Sequence, residues 1–304
     1  MLIISHKADP DGVTPIILSK LVFKDFKYIL ADIDEVDKFV MDNIDEEIIV
    51  VDLNIKEETA DYILNNNKDV LVFDHHLSNV HMNKYPFIKV VDFDNIKQSG
   101  TTLYYKYLLE NYNNDLLNKD VTKKLVEHVR TMDTYDFSIT SKEEANNIVV
   151  LFKIYGRELF IDKFYNVIIN SDELYSKEDL NLIELENLRI KRYIEEKEII
   201  EISLDDKKVG VVFAERNMSE LGSYLINKHD YLDYIILINV DKSISYRGNN
   251  KVDLSVIAKK YNGGGHFNAA GSPIPINLKE KIIKEIFKDA TIKDDNNDWN
   301  KKSN

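Results

Sequence analysis

The chain has 304 residues, 44% of them hydrophobic and 31% charged, with a formal net charge of −13 and no cysteine. This length suits one large domain or two ordinary ones, and the balance suits a globular rather than a disordered protein. The composition excludes disulfides, zinc–thiolate centres and thiol nucleophiles. It argues against extended duplex nucleic acid, which is held through basic patches.

Taken in order, LIIS at 2–5 predicts a first strand, followed by a helix over 13–24 with Pro15 in its first turn, where a missing N–H does no harm. YILA at 28–31, an acidic helical piece, EIIVVD at 47–52, a polar helix near 56–66 and VLVFD at 70–74 continue the alternation. Continuous apolar strands between amphipathic helices predict an α/β fold, a parallel sheet with helices on both faces. From Ser99 the pattern turns helical, through SGTTLYYKYLLENY, 121–130 and 143 to about 170. The charged stretch 176–201, apolar every three or four positions, predicts a connecting helix.

A second, smaller α/β unit follows. It has VGVVFAE at 209–215, a helix near 220–228, the strands YIILINV and SISYRG, the helix DLSVIAKKY and the loop GGGH. The expected division is a first domain over 1–175, a linker over 176–205, a second domain over 206–290 and a polar tail over 291–304. No apolar run approaches the ~18 residues of a membrane span. The N-terminus lacks the pattern of a secretory signal, and with no cysteine present the expected location is the cytoplasm.

In a parallel sheet ligands collect outside the carboxyl ends of the strands. The first strand leads into His6, Asp9 and Asp11, the third ends on Asp52, and the fourth ends on Asp74, His75 and His76. Asp133, in RTMDTYDF, follows a helix able to fold back over the same rim. Carboxylates held this close are tolerable when cations neutralise them. Imidazole and carboxylate without thiolate favour Mn²⁺, Mg²⁺, Co²⁺ or Fe²⁺, with zinc less diagnostic. Two such ions need a shared carboxylate, and Asp52 is central with no neighbouring ligand of its own.

The second dense signal is NGGGHFNAAGSP at 262–273. Gly263, Gly264 and Gly265 would let backbone N–H groups approach a phosphate, His266 adds a donor, and Ala269 and Ala270 are small enough for a helix to pack against the ligand. Arg247 supplies a bidentate fork, and the neighbouring Tyr246 a ring for stacking. His81, His128 and His229 are expected at the surface or in helix packing.

HKADPDG, VVDLN, VFDHH and RTMDTYDF, followed by SYR and GGGHFNAAG, together resemble the DHH phosphoesterases that carry a C-terminal DHHA1 domain. Among these the chain is most similar to the bacterial stand-alone oligoribonucleases, or nanoRNases. Its first motif, HKADPD, is one residue shorter than the H-x-N-P-D-x-D of many relatives.

The resemblance implies a parallel-sheet DHH domain followed by a smaller α/β DHHA1 domain. It also implies two divalent ions, Mn²⁺ foremost with Mg²⁺ or Co²⁺ as alternatives. One ion would be held by His6, Asp9 and Asp52, the other by Asp11, Asp52, His75 and Asp133. His76 would face the scissile phosphate and Asp74 would orient a histidine. Arg247, Gly263, Gly264, Gly265 and His266 would bind the far end of the substrate. The implied substrates are short oligonucleotides cut to mononucleotides, and 3′-phosphoadenosine 5′-phosphate. The alternatives are a cyclic- or linear-dinucleotide phosphodiesterase, or a catalytically silent nucleotide-binding module. The implied partners are these substrates alone, with no long duplex and no membrane, and a homodimer is compatible with the resemblance.

Overall fold

The computed structural model describes residues 1–289 and 291. The chain divides into two compact units, Met1–Glu186 and Asn187–Asn304.

The first unit opens β1 (Leu2–His6), α1 (Pro10–Val22), β2 (Lys27–Ala31), α2 (Val36–Asp42), β3 (Ile48–Val51), α3 (Glu57–Asn65), β4 (Val70–Asp74) and, after a 3₁₀ turn at Leu77–Lys84, β5 (Ile88–Val90). These five strands form one parallel sheet in the order β2-β1-β3-β4-β5. Alternation along each strand serves two cores. Ile3, Ile49, Val51 and Phe73 face one cluster of buried side chains, while Leu2, Ile4, Ile48, Val50 and Val72 face the other. The second cluster is closed by Val36 and Val40 of α2 and Ala60 and Ile63 of α3.

A short ribbon, β6 (Phe93–Asp94) and β7 (Ile96–Lys97), leads to α4 (Gly100–Asn111), α5 (Asp115–Asn118), α6 (Asp120–Thr134) and α7 (Lys142–Asn170). Leu103, Leu125 and Leu151 of α4, α6 and α7 join Ile17 of α1 in the first cluster. Tyr104 and Tyr105 of the aromatic helix are core residues there. α7 is broken at Gly156, whose φ of 67° and ψ of 177° no helix contains. The boundary between the units falls within α8 (Lys177–Glu195).

The sheet strands follow the expected pattern, but α1 starts earlier than expected. Asp9 caps it by accepting from the Gly12 amide at 3.0 Å, and Pro10 takes the first helical position. Pro15 therefore lies beyond the first turn, where its missing N–H would leave the Asp11 carbonyl unserved. Thr101 Oγ1 donates to that carbonyl at 2.7 Å.

The second unit contains β8 (Ile200–Leu204), β9 (Lys207–Phe213), α9 (Met218–Lys228), β10 (Tyr234–Asn239), β11 (Ser243–Gly248), α10 (Leu254–Lys260), β12 (Gly264–Gly265), β13 (Ala269–Pro273) and α11 (Leu278–Ile286). Its mixed sheet runs β12-β13-β11-β10-β9-β8, with β9 and β10 parallel and the other pairs antiparallel. The helix expected through 201 ends at Glu195. The stretch from Ile200 is instead an edge strand, because Ile200, Ile202 and Leu204 alternate at period two and pair along β9. No described helix is long and apolar enough to cross a membrane. Of the tail expected over 291–304, only Thr291 is among the described residues.

Candidate metal centre

The order 2-1-3-4-5 places a crossover switch between β1 and β3, and ligands of doubly wound sheets bind at such a point. His6 ends β1, Asp52 follows β3, and Asp74 closes β4 ahead of His75 and His76. α1 brings Asp11 in its first turn, and α6 brings Asp133 in its last. Each side chain is thus delivered by the end of a regular element rather than by a mobile loop.

The geometry centres on Asp52, which is buried and held in left-handed backbone with φ of 56°. Its Oδ2 lies 3.3 Å from His6 Nδ1, and its Oδ1 lies 3.3 Å from His75 Nε2. His6 Nδ1 also stands 3.6 Å from Asp9 Oδ2, and His75 Nε2 stands 3.3 Å from Asp133 Oδ2. Among the described residues, three sets of side chains each offer atoms within 4.8 Å of one another: His6, Asp9 and Asp52; Asp11, His75 and Asp133; and Asp52, His75 and His76.

Both Asp11 oxygens accept amides from the start of α4, Gly100 N at 2.8 Å and Thr101 N at 3.0 Å. α4 comes this close because Gly100 has no side chain. A Cβ there would stand 2.6 Å from Asp52 Cβ.

The electrostatics are those of crowded acids. Burial pushes the Asp11 carboxyl well up, and the charges of Asp52 and Asp133 add to it. Burial also raises Asp133, against the pull of His75, and raises Asp9, with Asp52 adding in both cases. Burial disfavours the imidazolium of His75, yet Asp52, Asp11 and Asp133 outweigh it and raise its pKa strongly.

Among the described residues, buried Asp52 Oδ1, His75 Nε2 and Asp133 Oδ2 find no hydrogen-bond partner. Buried polar atoms rarely stay unserved. Three of them converging from two carboxylates and an imidazole form a donor set that fits divalent cations of the Mn²⁺ or Mg²⁺ kind.

Asp74 plays a different part. Its Oδ1 accepts from His75 N at 2.8 Å, His76 N at 3.2 Å and His76 Nδ1 at 2.7 Å. Its Oδ2 accepts from Asn54 at 3.0 Å and Asn79 at 2.7 Å. Burial opposes its charge, but His76, Asn54 and Asn79 outweigh burial and hold the carboxyl far below its ordinary range. The half-exposed His76 has Nδ1 committed to Asp74, which leaves Nε2 for a ligand.

Sequence reading missed the supports. Arg130 is fully buried, bound to Glu127 at 2.7 and 2.9 Å and to Asp136 at 2.9 Å, and it fastens the end of α6 that carries Asp133. Asn54, Asn79, Gly100 and Thr101 were missed as well. Only the Ser99 N-cap preceding a glycine hinted at a helix start placed against the site.

In the second unit β13 lies between β11 and β12, so Arg247, paired with Ala269, neighbours the glycine segment. Arg247 donates to the Tyr246 carbonyl at 2.9 Å and to Ser219 Oγ at 3.0 Å. His266 is exposed.

The glycine segment is not an open loop. Gly264 and Gly265 form an edge strand, and Gly263 lacks a side chain because a Cβ would stand 2.0 Å from the Gly271 carbonyl oxygen. Ala269 and Ala270 lie in β13, where Ala270 joins Leu254, Ile257 and Ala258 of α10 in one buried cluster. Tyr246 is 2% exposed with its hydroxyl 2.8 Å from Ser272 Oγ, so its ring belongs to the core. His128 is buried beside the Tyr175 hydroxyl at 2.6 Å, while His81 and His229 are exposed.

Residues 1–150 match the DHH family, N-terminal domain. The oligoribonuclease NrnB of Bacillus subtilis is 29% identical over 311 aligned positions, covering 96% of this chain and 77% of that protein. A 3′,5′-cyclic-nucleotide phosphodiesterase of Helicobacter pylori is 23% identical, covering 94% of this chain and 98% of that one. The crystal structure of RecJ from Thermus thermophilus, in complex with Mn²⁺, shares the fold with a TM-score of 0.51 at 15% identity, over 94% of this chain and 50% of that one. The matched segment spans every strand end that supplies the centre, and residues 1–150 of the chain are a DHH family N-terminal domain.

Proposed function

We propose that the chain is a metal-dependent hydrolase of phosphodiester bonds that cuts short oligonucleotides to mononucleotides and also takes 3′-phosphoadenosine 5′-phosphate. The observation that carries this reading is Asp52, one buried carboxylate whose two oxygens each face a different group of candidate ligands. The Bacillus subtilis relative named as an oligoribonuclease supports the substrate class.

His6, Asp9 and Asp52 would hold one ion, and Asp11, Asp52, His75 and Asp133 the other. Mn²⁺ is the first choice, supported by the RecJ complex. Two such ions, when bound, would activate water and neutralise the charge that develops on the phosphate. The protein's own part is positional. β1, β3 and β4 fix the ligands at one rim, and Asp74 orients His76 so that Nε2 meets the phosphate and passes a proton to the leaving oxygen. In the second unit Arg247, Gly263, Gly264, Gly265 and His266 would bind a substrate phosphate.

The test is incubation of the purified chain and Mn²⁺ with pApA, 3′-phosphoadenosine 5′-phosphate and cyclic dinucleotides, ranked by rate, alongside calorimetric titration with Mn²⁺. Mononucleotides released fastest from pApA, chelator inhibition, and two ions bound by the wild type but fewer by Asp52→Asn are expected. Intact pApA overturns the reading. Faster cleavage of cyclic dinucleotides would move the assignment to a cyclic-dinucleotide phosphodiesterase.

A further inference from the structure

We propose that the ring of Tyr135 is a stacking face for the nucleobase next to the scissile phosphate, and so a specificity-determining residue; this rests on the function proposed above. Tyr135 follows α6 directly, two residues after Asp133. It lines a cavity of about 220 Å³ together with Asp9, Asp11 and Asp133 of the centre and the apolar Val129 and Met132. The lining thus combines acidic side chains, which repel a further phosphate, with apolar and aromatic ones. An uncharged planar group carried by a phosphate held at the centre suits such a cavity.

The backbone strengthens the inference. Tyr135 ends the helix in left-handed conformation, φ 51° and ψ 31°, a position that glycine or asparagine fills without strain. Bulky residues rarely sit there, and strained positions concentrate at ligand clamps. Packing does not account for the ring. Tyr135 is 69% exposed, and its ring partner among the described residues is Phe137, met edge-on at 6.2 Å and 86° and itself 39% exposed. An exposed aromatic face beside a phosphate site is how sequence-tolerant nucleic-acid sites bind bases.

The experiment compares pApA with its doubly abasic analogue on the full chain, by equilibrium Kd and by kcat/KM with Mn²⁺. Tyr135→Asn removes the ring while suiting the left-handed backbone, and it should lower the preference for pApA over the abasic analogue about tenfold. Tyr135→Phe should keep that preference. A preference in Tyr135→Asn within about twofold of wild type, or an equal loss for both ligands, overturns the proposal. Wild-type chain that binds pApA without cleaving it sinks the hydrolase reading alone, and Tyr135 is then decided on Kd. Wild-type chain that cleaves pApA with no preference over the abasic analogue sinks the Tyr135 proposal alone.

Discussion

Gly100 and Asp52 pack backbone against backbone: a Cβ on Gly100 would stand 2.6 Å from Asp52 Cβ, 2.8 Å from its Cα and 3.0 Å from its N. None of these atoms belongs to a flexible side-chain end, so the clash moves either α4 or Asp52. Gly100→Ala is expected to destabilise the chain by about 1–3 kcal/mol and to weaken Mn²⁺ binding by displacing the shared carboxylate. Denaturant unfolding and titration calorimetry check the two effects separately.

Asp74 gathers five donors onto one carboxylate. Asp74→Asn turns one acceptor into a donor among them, which should cost about 1–3 kcal/mol of stability. Activity should fall roughly 10–100-fold through misoriented His76. Because Asp74 lies in none of the three ligand sets, the number of Mn²⁺ ions bound should not change. A loss of one ion would show that Asp74 is a ligand.

Pro15 and Thr101 form a compensating pair, one withholding a donor from the Asp11 carbonyl and the other supplying it. Thr101→Val should therefore cost about 1–3 kcal/mol, the usual penalty for an orphaned buried acceptor. In a Pro15→Ala background the restored N–H at position 15 should shrink that loss. A double-mutant cycle in urea measures the coupling, and strict additivity would sever the link.

Asp136 gives the chain an acid limit. Hydrogen bonds from Ser138, with Arg130 adding to them, outweigh burial and hold its carboxyl down at about 2, below its value in an unfolded chain. A carboxyl lowered by folding stabilises fully above its unfolded pKa of ~3.9 and stops doing so as the pH falls through about 2. The gap in Tm between wild type and Asp136→Asn should be constant from about pH 7 to 4 and close toward pH 2. A gap that persists at the acid end would point to packing rather than charge.

What was legible from sequence was whatever depends on nearby residues. β4 stands where VLVFD places it, and β1 and β3 differ by a residue at their ends, because buried parallel strands are continuous apolar runs. The polar residues that end those runs meet at one rim. The start of α1 is harder to place because Pro15 resembles a helix-start proline, although Asp9 followed by Pro10 carries the stronger cap signal. The expected helix runs on into Ile200 and Glu201 of β8, because so short an alternating stretch resembles a frayed amphipathic turn. The supporting residues were invisible for another reason. Asp11 finds Gly100 and Thr101 across 89 and 90 positions, and no local pattern records a contact of that range.

That wall of the centre has a thermodynamic consequence. With two amide hydrogens from the first turn of α4 already on its carboxylate, Asp11 is locked in place by a fixed dipole before any ion arrives. An incoming cation pays little ordering entropy on this side, so association should proceed without an induced rearrangement there, and exchange should be governed by how fast the ion sheds its hydration shell.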